Sequence, residues 1–218
     1  MNLLRAIITV SGITMVSRIL GFLRDILVAA VLGAGPLADI FFVAFKLPNL
    51  FRRLFAEGAF SAAFVPQFSE ILEKRGYKIA KIYAEQALAI LIWALLVFLI
   101  LIEITMPWIM LGFAPGFAAN PDKFDLAVLL SRVTFPYLLL ISLTALSGSI
   151  LNTYDNFSVP AFTPVLLNIS LILSAIFLSQ YLATPIMALA WGVLIGGVAP
   201  VSYTHLRAHE TDSYLVCR

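Results

Sequence analysis

The 218-residue sequence holds one cysteine, two histidines and 12% charged residues, and each shortage removes a class of protein. A single Cys217 cannot close an internal disulfide. His205 and His209 are four positions apart, but with one nearby thiol and no second ligand pair they make a poor metal site, so no metal is expected. A soluble domain carries roughly a quarter charged residues, about twice what is present. The net charge of +2 leaves no electrostatic footprint for nucleic acid. No paired carboxylates, nucleophile with its base, or metal-ligand set stands out, so the chain is expected to be neither an enzyme nor a cofactor carrier.

What is abundant is apolar: 61% of residues are hydrophobic and the mean hydropathy is +1.00. No water-soluble fold of this length could hide that much apolar surface, whereas a bilayer accepts it and requires only that backbone groups bond internally. A membrane β-barrel would show alternating segments of about ten residues. The continuous apolar stretches found instead predict an all-α, polytopic membrane protein.

Six spans are expected: 6–32, 37–65, 84–113, 126–151, 158–182 and 184–200, each long enough for a hydrocarbon layer of about 30 Å. Short punctuators separate the later ones, namely Ala114-Pro115-Gly116, Asn152-Thr153-Tyr154-Asp155-Asn156 and Ala183-Thr184-Pro185. The first span could pass for a signal peptide, but Arg18, Arg24 and Asp25 interrupt it and no small-residue cleavage site follows. Arg5 precedes it, and Lys74, Arg75, Lys78 and Lys81 gather between the second and third spans in a stretch that reads as an interfacial helix. Both regions are then cytoplasmic, with the N-terminus inside.

A charge at the bilayer centre costs from about 3 to over 10 kcal/mol, so such residues face protein, water or a partner. They concentrate in the first two spans. Arg18 and Arg24 lie about 120° apart on a helix, while Arg18 and Asp25 share a face. Asp39, Lys46, Arg52, Arg53 and Glu57 follow, with Arg53 and Glu57 at helical i, i+4 spacing. Singly, each could sit at a span end and snorkel to headgroups. Together, four arginines favoured over lysine suit a bidentate grip on phosphate oxygens, with Asp39 and Glu57 as charge-balancing or ion-coupling groups. Gly21, Gly33, Gly35, Pro36, Pro48 and Gly58 puncture the same two spans, and broken helices line many transport sites. Gly192 and Gly196 form a small-xxx-small face expected to pack helices. Trp93, Trp108, Tyr137 and Tyr154 are expected to be packing or interfacial residues. Glu103, four before Pro107, is expected near the outer interface rather than as a proton carrier.

Several segments resemble the MurJ (MviN) lipid II flippases of the multidrug/oligosaccharidyl-lipid/polysaccharide exporter superfamily. They are SRILGFLRD at 17–25, ADIFFVAFKLPNLFRRLFAEGAFSAAFVP at 38–66, TFPYLLLISLTALSGSILN at 134–152, NTYDNFSVPAFTPVLLNIS at 152–170 and ALAWGVLIGGV at 188–198. The resemblance implies the N-terminal lobe, residues 1–200, of a fourteen-helix, two-lobe transporter of the bacterial cytoplasmic membrane. It implies transfer of the undecaprenyl-diphosphate-linked disaccharide-pentapeptide, lipid II, from inner to outer leaflet by alternating access, with cell-wall synthesis proteins as further partners. Arg18, Arg24, Arg52 and Arg53 would hold the substrate, and Asp39 and Glu57 would gate or balance the cavity. Residues 201–218 match no family segment and are expected to be a non-native tail. The competing expectations are a multidrug or cation antiporter, another polyprenyl-diphosphate flippase, or a non-transporting subunit of a membrane complex.

Overall fold

The computed structural model of the chain describes residues 3–54, 61–154, 156–182 and 184–216, without the side chains of 3–6, 205 and 207–216. Among the described residues all regular structure is helical: α1 (Leu3–Leu32), α2 (Pro36–Phe51), α3 (Ser61–Arg75), α4 (Tyr77–Phe113), α5 (Pro121–Thr134), α6 (Tyr137–Thr153), α7 (Ser158–Ile176) and α8 (Pro185–Val216). Four stretches are long and apolar enough to cross a membrane: Tyr77–Phe113, Pro121–Thr153, Ser158–Gln180 and Pro185–Thr204. They correspond to the last four expected spans. The expected spans at 6–32 and 37–65 are not among them. The second resolves into the 16-residue α2 and a separate α3 that runs on to Arg75. The chain is a multi-pass membrane protein.

The helix ends follow local chemistry. Gly33 and Gly76 adopt φ of +68° and +79°, the left-handed region that costs glycine little, and they end α1 and separate α3 from α4. Asn120 caps α5 by accepting the Lys123 N–H at 3.2 Å. Pro136 has no N–H, so the span expected at 126–151 is two helices, α5 and α6, meeting at Phe135-Pro136. Pro200 does not end α8, whose helix continues to Val216. His205, His209 and Cys217 fall where side chains lie outside the described residues.

Proline inside a helix frees the carbonyl four residues earlier, and α5 supplies the missing donors. Pro48 leaves the Ala44 carbonyl without its helical N–H, and the buried Thr134 hydroxyl donates to it at 3.1 Å. Pro107 does the same to Glu103, whose carbonyl accepts from Arg132 Nε at 3.3 Å. The Arg132 guanidinium thus reaches from α5 to the backbone of Glu103 in α4. Ten residues, about 15 Å of helix, separate Glu103 from the end of α4.

Close packing sets the rest of the bundle. α8 lies on α7 and α6, α1 on α7, and α2 on α5. Gly192 and Gly196 face α7, where a Cβ would come within 2.6 Å of Ser174 Cβ and 2.7 Å of Leu167 Cδ1 respectively. That approach lets Ser170 donate to the Gly192 carbonyl at 3.1 Å and Ser174 to the Ala188 carbonyl. The expected small-residue face is therefore a helix-packing face. The core holds Ile40, Phe41, Met106, Leu130, Phe135, Tyr137, Leu189 and Val193. A smaller cluster of Phe64, Phe68, Ala80 and Leu146 joins α3 to α4 and α6. On the outside the order is inverted: Ile90, Trp93, Val97, Ile100, Ile104 and Trp108 form an exposed stripe along α4, a surface made for hydrocarbon.

Candidate substrate-binding site

The charges of the first two elements do not converge on one point. Arg24 turns toward α7. Its Nη1 donates to Asn168 Oδ1 at 2.8 Å, and its Nε and Nη2 donate to Asp25 Oδ1 at 3.0 and 2.7 Å. Asn168, 5% exposed, in turn donates through Nδ2 to the Ser17 carbonyl of α1 at 2.9 Å. One amide therefore pins α1 to α7 and orients the guanidinium. Asp25, expected on the face of Arg18, is bonded to its chain neighbour Arg24 instead. The long arginine side chain can bend back along the helix to reach it. Arg18 remains exposed on α1.

Arg52 begins a wider π-helical turn over 52–54, directly after α2. Such turns displace side chains from the regular helical register and recur at functional sites. Its Nε donates to Asn49 Oδ1 at 3.3 Å, and Asn49 Nδ2 holds the Phe45 carbonyl at 2.9 Å. Arg52 lines a cavity of about 470 Å³ between the end of α2, α3, α6 and α7. Arg53 in the same turn is exposed. Glu57, expected to pair with Arg53, lies outside the described residues.

Asp39 lies in the first turn of α2, thirteen residues and about 20 Å of helix from Arg52. Its carboxylate bonds Lys123 Nζ at 3.2 Å, and that ammonium sits 4.3 Å over the Phe117 ring. Asp39 is thus part of a clasp between α2 and the start of α5, away from the described arginines.

The arrangement offers a guanidinium set by two oxygen acceptors, a second one opening on a cavity, and α7 beside both: Leu167 lines the cavity and Asn168 holds Arg24. Asn168 was not singled out from sequence. The signal was present, because an amide in the middle of the apolar run at 158–182 is as conspicuous as a charge would be. A family profile described as lipid II flippase MurJ matches residues 28–207.

The chain belongs to the lipid II flippase MurJ family.

Similarity to individual MurJ proteins is distributed along the chain. It is 46% identical to the lipid II flippase MurJ of Burkholderia cenocepacia over 198 residues, covering 91% of this chain and 38% of that protein. It is 45% identical to the probable lipid II flippases MurJ of Buchnera aphidicola subsp. Acyrthosiphon pisum and of Rhizobium tropici, covering 93% and 94% of this chain and 40% and 39% of theirs. A solved structure titled lipid II flippase MurJ, inward closed conformation, superposes with a TM-score of 0.73 at 30% identity, covering 90% of this chain and 41% of that one. The chain thus spans about two fifths of the length of the MurJ relatives it matches. The MurJ profile runs to residue 207, so the match takes in the first part of the tail that the sequence reading set apart.

Proposed function

We propose that the protein is the N-terminal, six-span lobe, residues 1–200, of a flippase that carries lipid II from the inner to the outer leaflet of the bacterial cytoplasmic membrane, its N-terminus in the cytoplasm. The supporting observation is that Arg24, bonded to Asn168 of α7, and Arg52, at the cavity that α7 helps to line, stand in an otherwise apolar bundle. A guanidinium fork matches phosphate oxygens, and a cation among membrane helices is costly unless it serves a partner or a ligand. Asp25 occupies Arg24 Nε and Nη2 as a carboxylate stand-in for phosphate. An arriving diphosphate would displace it and take the same two donors in bidentate fashion, while Asn168 keeps the guanidinium aimed.

Arg52 would meet the phosphate-bearing head at the cavity mouth, with the adjoining sugar inside and the polyprenyl tail in the bilayer. Arg18 and Arg53 would guide the anion, and Asp39, clasped to Lys123 at the far end of α2, and Glu57 would gate the transport path or balance its charge. No covalent bond changes in such a cycle, so the work is binding and conformational exchange rather than catalysis. Rocking of this lobe against a second one would present the head alternately to each side.

Complementation tests the reading. Cells depleted of their own flippase receive this lobe joined to the remainder of the Burkholderia cenocepacia relative. The parent fusion is expected to restore growth, and Arg24→Ala and Arg52→Ala to abolish it at equal membrane abundance. Growth of both variants at the parental rate would refute the phosphate-gripping role.

A further inference from the structure

The wall of the cavity beyond Arg52 is unlike the phosphate grip. Among the described residues no carboxylate lines it, and its polar members are neutral: Asn49, Thr144, Ser149, Asn152 and Thr163, with Ser61 at one side. Its volume of about 470 Å³ lies within the roughly 300–1,000 Å³ of small-molecule sites. Thr144 and Ser149 donate to their own helix, to the Leu140 and Ala145 carbonyls at 3.0 and 2.9 Å; Ser149 Oγ also lies 3.4 Å from Ser61 Oγ, and each oxygen keeps accepting capacity.

Thr163 differs from both. It is 8% exposed, and its hydroxyl has no hydrogen-bond partner among the described residues. A threonine inside a helix ordinarily satisfies itself on the carbonyl three or four residues back. One residue on, Pro164 brings no N–H, so the Pro160 carbonyl, also on the cavity wall, loses its regular helical donor. Elsewhere in the bundle the carbonyls freed by Pro48 and Pro107 are met by Thr134 and Arg132. At the cavity, the protein retains an unused hydroxyl where burial without a partner is costly.

We propose that this wall is a neutral hydrogen-bonding subsite for the sugar that adjoins the diphosphate, with Thr163 as a recognition hydroxyl and Thr144, Ser149 and Asn152 completing it. The inference rests on the flippase reading and deepens it: Arg52 takes phosphate, and the wall behind it takes hydroxyl or amide groups of the first sugar. A neutral lining accepts such groups without the desolvation cost of a second charge.

Two lipids separate the possibilities. The fusion with the Burkholderia cenocepacia remainder is placed in lipid nanodiscs, and dissociation constants are measured for undecaprenyl diphosphate and for the same lipid carrying its disaccharide-pentapeptide. Thr163→Val is nearly isosteric and is expected to weaken the sugar-bearing lipid about fivefold to tenfold, the worth of one good hydrogen bond. It should leave the sugar-free lipid within about twofold on the same argument. Thr163→Ser should return to parental affinity. Because the hydroxyl has no partner among the described residues, Thr163→Val should also keep or raise the melting temperature. Arg52→Ala should weaken both lipids. An equal loss for both lipids in Thr163→Val, no loss for either, or a fall in melting temperature would overturn the subsite. A parent that binds neither lipid, or an Arg52→Ala variant that binds both like the parent, would overturn the flippase reading and the subsite with it.

Discussion

Replacing Gly192 with alanine tests the contact that joins α7 to α8. The added Cβ would lie 2.6 Å from Ser174 Cβ and 2.7 Å from Ser174 Oγ, about 1 Å inside the 3.5–4.0 Å at which non-bonded carbons are comfortable. Ser174 Cβ is fixed to the backbone of α7, so rotating the hydroxyl away leaves the clash in place and the helices must part. Parting them strains the bonds from Ser174 to the Ala188 carbonyl and from Ser170 to the Gly192 carbonyl. Overpacking of this kind costs about 1–3 kcal/mol, and each interhelical hydrogen bond in a membrane adds about 0.6 kcal/mol. Alanine returns up to about 1 kcal/mol through its better helix propensity. The sum is a net destabilisation of about 1–3 kcal/mol, read as a lower SDS midpoint for the chain unfolded from bicelles. Gly112, which has nothing within 4 Å of an added Cβ, is the control and should be neutral or slightly stabilised as alanine. A Gly192→Ala midpoint equal to or above that of Gly112→Ala would refute the packing argument.

Two further predictions concern side chains that act across helices. In a double-mutant cycle of Arg24→Ala and Asn168→Ala, the measured coupling should fall near the upper part of the roughly 0.6–1.7 kcal/mol range for membrane helix pairs, because one partner is charged; additive single losses would disprove the link. Thr134→Val should cost about 1–2 kcal/mol by orphaning the Ala44 carbonyl. In a Pro48→Ala background, where residue 48 regains its N–H, that cost should shrink below about 0.5 kcal/mol by the same accounting. An unchanged cost in both backgrounds would show that the hydroxyl does not serve the carbonyl freed by Pro48.

The membrane class and the outlines of the last four spans were legible because hydropathy acts over twenty residues at a time and needs no knowledge of neighbours. The family was legible in the segments around Arg24 and Arg52. The small-residue face at Gly192 and Gly196 was legible too, since close approach of two helices leaves few other choices. Less legible were the ends and breaks. The interruption at Phe135-Pro136 and the continuation of α8 through Pro200 both involve proline, and the residue alone does not say whether a helix will stop or bend. The tertiary surroundings, which supply or withhold the missing hydrogen-bond donors, decide that.

Side-chain partnerships were the least legible part. Helical spacing placed Asp25 on the face of Arg18, whereas the guanidinium of adjacent Arg24 reaches it directly. Asp39 meets Lys123 across 84 positions, and Arg24 meets Asn168 across 144. Such contacts follow from which helix lies on which, and that is a cooperative result of packing small residues, filling the core and satisfying freed carbonyls. By itself the sequence determined that the chain is helical, belongs in a bilayer and carries too many arginines for an inert span, because those properties reside in single residues and short windows. Only the tertiary structure decided that Asn168 orients Arg24, that Thr134 and Arg132 answer the carbonyls released by Pro48 and Pro107, and that Thr163 lies at the cavity wall with its hydroxyl unpartnered among the described residues, because each depends on the distance between helices far apart in the chain.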